Sequence, residues 1–379
     1  MGLKVHNRFP GANVRVVSVR ESGDKAEIVF AADPKGGAES LWYCFRVAAE
    51  GEASPAPAKL TITQQFFGTI QGGAATDGAR PVYQPEGQGW YRAHAGTVHV
   101  HADGRSDVSW TVPYPAPGME IAFSFPYGKQ ELDRLVSKAK GYWKRDHIGL
   151  SQGGRFIERL SNDYGQLSRK ASGVYIMARQ HAGETPSSWV MDGILDRTSR
   201  EKKMSCMLWA VPFVDVDGVV HGGHGKGVAP ADISQAWSVP PARHEARVLQ
   251  HDMQAWAARC QPCLILDLQS PDATAADGVS MLGPDPDRHP DTHAAIKAWA
   301  NVFEQVLRPE FAATEFCRTA DRPTGDEISD FAHSSLKIPA ITIKVPYALC
   351  NGAVLTQKSY REIGRAIGKT ILTRARDIR

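Results

Sequence analysis

The sequence predicts an α/β protein, an N-terminal antiparallel β-sandwich followed by a mixed-sheet α/β domain. Three observations carry this reading. Short β-rich runs broken by Gly, Pro and Asp fill the first third of the chain. Helical periods appear only after Pro126-Tyr127. From there they alternate with apolar runs continuous enough to be strands buried on both faces. At 379 residues the chain exceeds the usual size of a single core. Residues 1–125 are therefore expected to form the β-domain and residues 126–379 the α/β domain.

In the first part, Val14-Arg-Val-Val-Ser-Val19, Ala26-Glu-Ile-Val-Phe30, Leu60-Thr-Ile-Thr63, Thr97-Val-His-Val-His101 and Ile121-Ala-Phe-Ser-Phe125 suit strands, with no room for a helix of normal length between them. Trp42-Tyr43 and Trp90-Tyr91-Arg92 are expected to plug that sandwich or seal it against the next domain. In the second part, one helical face each is offered by Leu249, Met253 and Trp256, by Ile296, Trp299, Phe303 and Val306, and by Ile363, Ile367 and Ile371. Gly173–Ala178, Met207–Val211, Cys263–Leu268 and Ala340–Val345 read as the buried strands between them. Ser270 to Pro290, rich in Asp, Pro and Gly, reads as a loop over the mouth of the sheet.

The charge balance, 44 basic against 41 acidic residues without long runs, gives no footprint for nucleic acid or an anionic membrane. No run approaches the ~20 apolar residues of a membrane span, and the N-terminus lacks a signal-peptide pattern. The expected setting is cytoplasmic, with no nucleic-acid or membrane partner. Of the six cysteines only Cys260 and Cys263 are closely spaced, and without a second pair or nearby histidines they read as a strand coincidence rather than a metal or redox motif.

The strongest local signal is Ala178-Arg-Gln-His-Ala-Gly-Glu-Thr-Pro-Ser-Ser-Trp189, which follows a strand and opens a helix, with Thr185 expected as N-cap and Pro186 in the first turn. His181 and Glu184 then sit at a strand's carboxyl end, where open α/β sheets bind ligands. An imidazole and a carboxylate three residues apart can converge on one zinc ion. Alone, that spacing is weak, and capping is its default role.

With its surroundings it resembles the zinc carboxypeptidases of family M14, in the cytosolic-type branch that carries an N-terminal β-domain. Trp90-Tyr91-Arg92 and Phe123-Ser-Phe-Pro-Tyr127 resemble segments that close that domain. Val211-Pro-Phe-Val-Asp-Val-Asp-Gly-Val219 resembles a family strand and loop, and Ala340-Ile-Thr-Ile-Lys-Val-Pro-Tyr-Ala348 the last catalytic strand. The resemblance implies an M14 carboxypeptidase-like fold and zinc on His181, Glu184 and a third residue. That third position, a histidine in the family, is Gln269 here, after Asp267-Leu268. The family's catalytic glutamate is replaced by Lys344. Its carboxylate-binding Asp-x-Asn-Arg segment appears as Asp232-Ile-Ser-Gln235, which puts Ser234 and Gln235, with Tyr347, in the substrate-binding role. The family's oxyanion arginine falls near Lys226, in the glycine-rich stretch with His221 and His224. Those two histidines could donate a replacement ligand, but histidines in such a loop are more often solvated than ligating.

An amide oxygen is a poor zinc ligand, and an ammonium cannot serve as a general base unless its pKa falls far. A cation about 5 Å from a divalent ion costs about 6 kcal/mol at an effective dielectric of about 20, against zinc-site energies of about 10–16 kcal/mol. Two readings follow. One is a divergent metallohydrolase acting on a peptide or acyl-amino-acid-like small molecule, with Lys344 or Lys226 stabilising the oxyanion. The other is a catalytically degenerate pseudo-carboxypeptidase that binds or scaffolds, in which Lys344 occupies the site electrostatically.

Overall fold

The structure, a computed structural model, describes residues 2–50, 57–67, 78–115, 117–167, 171–201, 206–283, 290–319 and 326–377. Of the loop expected over the sheet, residues 284–289 fall outside these. The chain divides into two compact units: Met1–Pro126 with Gly218–Ala229 and Asp272–Ala275, and Tyr127–Asp217 with Pro230–Pro271 and Ala276–Arg379.

The first unit holds β1 (Gly2–His6), β2 (Arg15–Ser22), β3 (Lys25–Ala31), β4 (Cys44–Glu50), β5 (Lys59–Gln64), β6 (Val82–Pro85), β7 (Tyr91–Arg92), β8 (Thr97–Val100), β9 (Ser106–Pro113) and β10 (Gly118–Ala122). They form two five-stranded sheets, ordered β1-β4-β10-β6-β7 and β2-β3-β5-β9-β8. Alternation builds the core, since Ala26, Ile28 and Phe30 of β3 and Leu60 and Ile62 of β5 all point inward. Phe30 meets Phe45 edge-on at 5.1 Å between ring centroids and Tyr43 at 4.8 Å, so residues of the two sheets interlock. Trp42 and Tyr43 are buried as expected of a plug. One pairing departs from the antiparallel expectation: β3 and β5 run parallel. Between them the chain crosses to the other sheet as β4 and returns in the original direction.

The second unit comprises α1 (Lys129–Lys138), β11 (Lys144–Leu150), β12 (Phe156–Ser161), β13 (Ser172–Ala178), α2 (Thr185–Thr198), β14 (Met207–Val211), α3 (Val216–His221), α4 (His244–Ala257), β15 (Gln261–Gln269), β16 (Val279–Gly283), α5 (Pro290–Leu307), β17 (Ala312–Thr319), α6 (Ile328–Phe331), β18 (Ala340–Lys344) and α7 (Gln357–Asp377), with the chain passing back to the first unit within α3. Its eight-stranded sheet runs β11-β12-β14-β13-β15-β18-β16-β17. The central strands β14, β13, β15 and β18 are parallel, the pairs β11–β12, β12–β14 and β18–β16 are antiparallel, and the edge pair β16–β17 is again parallel. Every residue of β13 and β14 is buried, which explains their unbroken apolar sequence. Against this sheet α4 packs Leu249, Met253 and Trp256, and α7 buries Ile363, Ile367 and Ile371. In α5 the face is Ile296, Trp299, Phe303 and Leu307, whereas Val306 is exposed, because the helical period carries the inner face one residue further.

α2 is almost wholly buried, and two glycines explain how. A Cβ on Gly193 would strike the Arg361 backbone, and one on Gly364 would strike the Val190 carbonyl. The two helices can therefore approach to backbone contact.

Candidate functional site

The parallel strands β13, β15 and β18 end side by side, and their last residues lead into one cluster. Gln269 and Lys344 are register partners across β15 and β18. After Ala178 the chain turns sharply. Arg179 takes a left-handed φ of 62°, and its buried guanidinium donates to the Ala182 carbonyl at 2.7 Å, the Tyr127 carbonyl at 3.1 Å and Ser188 Oγ at 3.1 Å. Burial lowers this arginine to about 10, against the opposing charge of Glu184, Tyr347 and Asp215. A non-glycine residue in this region is strained, and the guanidinium contacts are what over-determine it.

That turn presents His181 with carboxylates on both ring nitrogens. Nδ1 lies 2.9 Å from Glu184 Oε1, and Nε2 lies 2.8 Å from Asp232 Oδ1. Burial alone would hold the imidazole neutral. The Glu184 charge and the hydrogen bonds to Asp232 and Glu184 outweigh it and raise the pKa to about 9, so both N–H groups donate. Helix α2 begins at Thr185 with Glu184 as N-cap, one residue earlier than expected, and the Glu184 side chain turns to His181 instead of capping. Asp232 is held in turn by Ser234, whose backbone N–H and hydroxyl donate to its Oδ1 at 2.9 and 2.8 Å.

A second chain of contacts starts from Lys344. Its Nζ donates to Gln269 Oε1 at 2.5 Å, and Gln269 Nε2 donates to Asp267 Oδ2 at 2.5 Å. Asp267 also accepts from Gln180 Nε2 at 2.8 Å, and Gln180 Oε1 accepts from Trp237 Nε1 at 2.8 Å. Burial, opposed by the Lys344 charge and reinforced by Glu184, pushes the Asp267 carboxyl up to about 7.

The residues singled out by sequence are thus only partly gathered. His181, Glu184, Gln269 and Lys344 stand at the strand ends of the second unit, with Ser234 joined to them through Asp232. Gln235 is exposed on the same short turn, and Tyr347 is buried, its carbonyl accepting from Tyr360 Oη at 2.5 Å. Lys226 belongs to the first unit, where its ammonium stands 3.7 Å from Asp272 Oδ1. His221 closes a short helix, and His224 is buried with Nε2 3.0 Å from Glu39 Oε2, so His224 is not the solvated loop residue expected. Sequence reasoning missed the parts played by Arg179, Gln180 and Asp232. A charged residue immediately after a fully buried strand was the available signal for Arg179.

No family model matches the chain. An uncharacterized protein of Zymomonas mobilis is 23% identical over 259 residues, covering 66% of this chain and 63% of its own length. Mouse cytosolic carboxypeptidase 1 is 23% identical over 283 residues, which cover 63% of this chain and 23% of the mouse protein. Across the fold, a metallo-carboxypeptidase of Pseudomonas aeruginosa, solved in complex with (2-guanidinoethylmercapto)succinic acid, matches with a TM-score of 0.77 at 19% identity, covering 99% of this chain and 100% of its own. The chain has a metallo-carboxypeptidase-like fold and is similar to the cytosolic carboxypeptidases. It spans less than two thirds of the length of either curated relative.

Metallo-carboxypeptidase likeness implies a metal, but the side chains of this carboxypeptidase-like site do not fit one. His181 Nδ1 and Glu184 Oε1 face one another with Asp232 behind the ring on Nε2, so this turn offers two donors at most and a metal would need a third. The donor that β15 offers as a third ligand, Gln269 Oε1, already accepts from an ammonium. Among the described residues no group of three or more His, Cys, Asp or Glu side chains is arranged to hold a metal ion.

Proposed function

We propose that this carboxypeptidase-like chain is a pseudo-carboxypeptidase, retaining a cleft for a peptide or acyl-amino-acid-like ligand without zinc-dependent hydrolysis. The observation that carries this reading is the hydrogen bond from Lys344 Nζ to Gln269 Oε1 at 2.5 Å. It supports the reading because Lys344 and its amide partner are the residues that the M14 resemblance would have as general base and metal ligand. Neither can do that work: an ammonium has no lone pair to take a proton, and the amide oxygen is engaged. Residues 126–379 would carry the cleft, with 1–125 as an accessory β-domain. Gln235, exposed beside Asp232, would contact the ligand, while Ser234 and Tyr347 would act through the groups they hold. A cytoplasmic setting accords with the relatives' naming. Among the described residues no helix is long and apolar enough to cross a membrane.

A second reading, a divergent zinc hydrolase, is favoured by the His181–Glu184 pair and the carboxylate behind the imidazole, a pattern common to metal-binding histidines. In it Lys344 or Lys226 would stabilise the oxyanion. The experiment that separates the two is a screen of peptides and N-acyl amino acids with zinc supplied, beside Glu184→Ala. The pseudo-carboxypeptidase reading expects no turnover above Glu184→Ala but thermal-shift binding by some members. Turnover that chelator abolishes would reverse it.

A further inference from the structure

The conflict between the fold's implied metal and the side chains present has its own structure. Gln269 and Lys344 are register partners on adjacent parallel strands, so each position is set by the other. The amide is used at both ends, its oxygen by the Lys344 ammonium and its nitrogen by wholly buried Asp267, which Gln180 also holds. Glu184, also fully buried, is already met by His181 Nδ1 at 2.9 Å, which leaves Asp267 as the buried carboxylate toward which the Lys344–Gln269 chain is built. A buried carboxylate needs a nearby cation, since isolated buried charge is strongly unfavourable.

We propose that the Lys344 ammonium, oriented by Gln269, is the cation that serves the Asp267 end of this site, an internal substitute for a divalent ion, and that these two residues jointly exclude zinc. This rests on the reading of the site as metal-free. Substitution at one position should not reopen the site. In Gln269→His the imidazole gains a donor, but the ammonium still repels the ion. In Lys344→Met the repulsion is gone, but the third ligand is still an amide.

The test uses the full chain and zinc alone, read by calorimetric titration and by the shift in thermal midpoint. The variants are Gln269→His, Lys344→Met, and Gln269→His combined with either Lys344→Met or Lys344→Glu. The neutral methionine keeps the test valid should glutamate beside two buried carboxylates prevent folding. The expected result is stoichiometric zinc in the double variants, about two to four decades tighter than in Gln269→His, with a zinc-dependent rise in midpoint that chelator reverses. Equal zinc affinity in Gln269→His and in the double variants would overturn the proposal, as would folded double variants that take up no zinc. Stoichiometric zinc in the unaltered chain would instead defeat the metal-free reading on which the proposal stands.

Discussion

His181 sits between Glu184 and Asp232, and its titration should mark a site without metal. Its folded pKa of about 9 lies above the ordinary 6.5, so the charged pair contributes stability that is fully present below about pH 6.5 and is lost as pH rises through about 9. Chemical denaturation of the chain and of His181→Gln should therefore differ most near pH 6 and converge above pH 9; a metal-bound imidazole would give the opposite trend, with stability lost in acid. Lys344→Met should cost about 1.5–3 kcal/mol in the same measurement, because the ammonium's charged hydrogen bond to Gln269 is removed beside buried Asp267. Cys260 and Cys263 are both pushed up to about 12 by burial, and alkylation at pH 8 should leave them unmodified until the protein unfolds. At this scale the sequence was legible where one residue could be compared with a motif, as at His181, Glu184, Gln269 and Lys344. It was silent where a role depends on a distant partner: Asp232 meets His181 across 51 residues, and Gln180 meets Asp267 across 87.

Helices and strands were legible in proportion to their burial. The wholly buried strands β13 and β14 and the core of β15 are continuous apolar runs, and α7 shows its inner face as Ile363, Ile367 and Ile371. The marginal hairpin β11–β12 was not, since Lys144-Arg-Asp-His147 is half exposed and carries no strand alternation that distinguishes it from a loop. The close crossing of α2 and α7 was equally invisible, because it depends on what a glycine's missing side chain would meet. Gly364→Ala should destabilise the chain by about 1–3 kcal/mol despite alanine's better helix propensity, because its methyl would strike the Val190 carbonyl. A shift in the denaturation midpoint checks this, and a gain in stability would refute the backbone contact.

Across the whole molecule, the two-part composition was plain in the change from β-rich runs to helical periods, but the return of Gly218–Ala229 and Asp272–Ala275 to the first unit was not, since nothing local marks those short segments. The same whole-chain resemblance that gives the M14 fold also implies a metal, and here fold and side chains part. If Lys344 holds the charge that an ion would otherwise supply, chelator should leave the thermal midpoint of the intact chain unchanged. The most direct test is the zinc content of the full chain purified without chelator and then equilibrated with zinc, by mass spectrometry of the digested protein beside Glu184→Ala. The account predicts zinc far below one ion per chain and no difference between the two proteins; stoichiometric zinc that is lost in Glu184→Ala would contradict it.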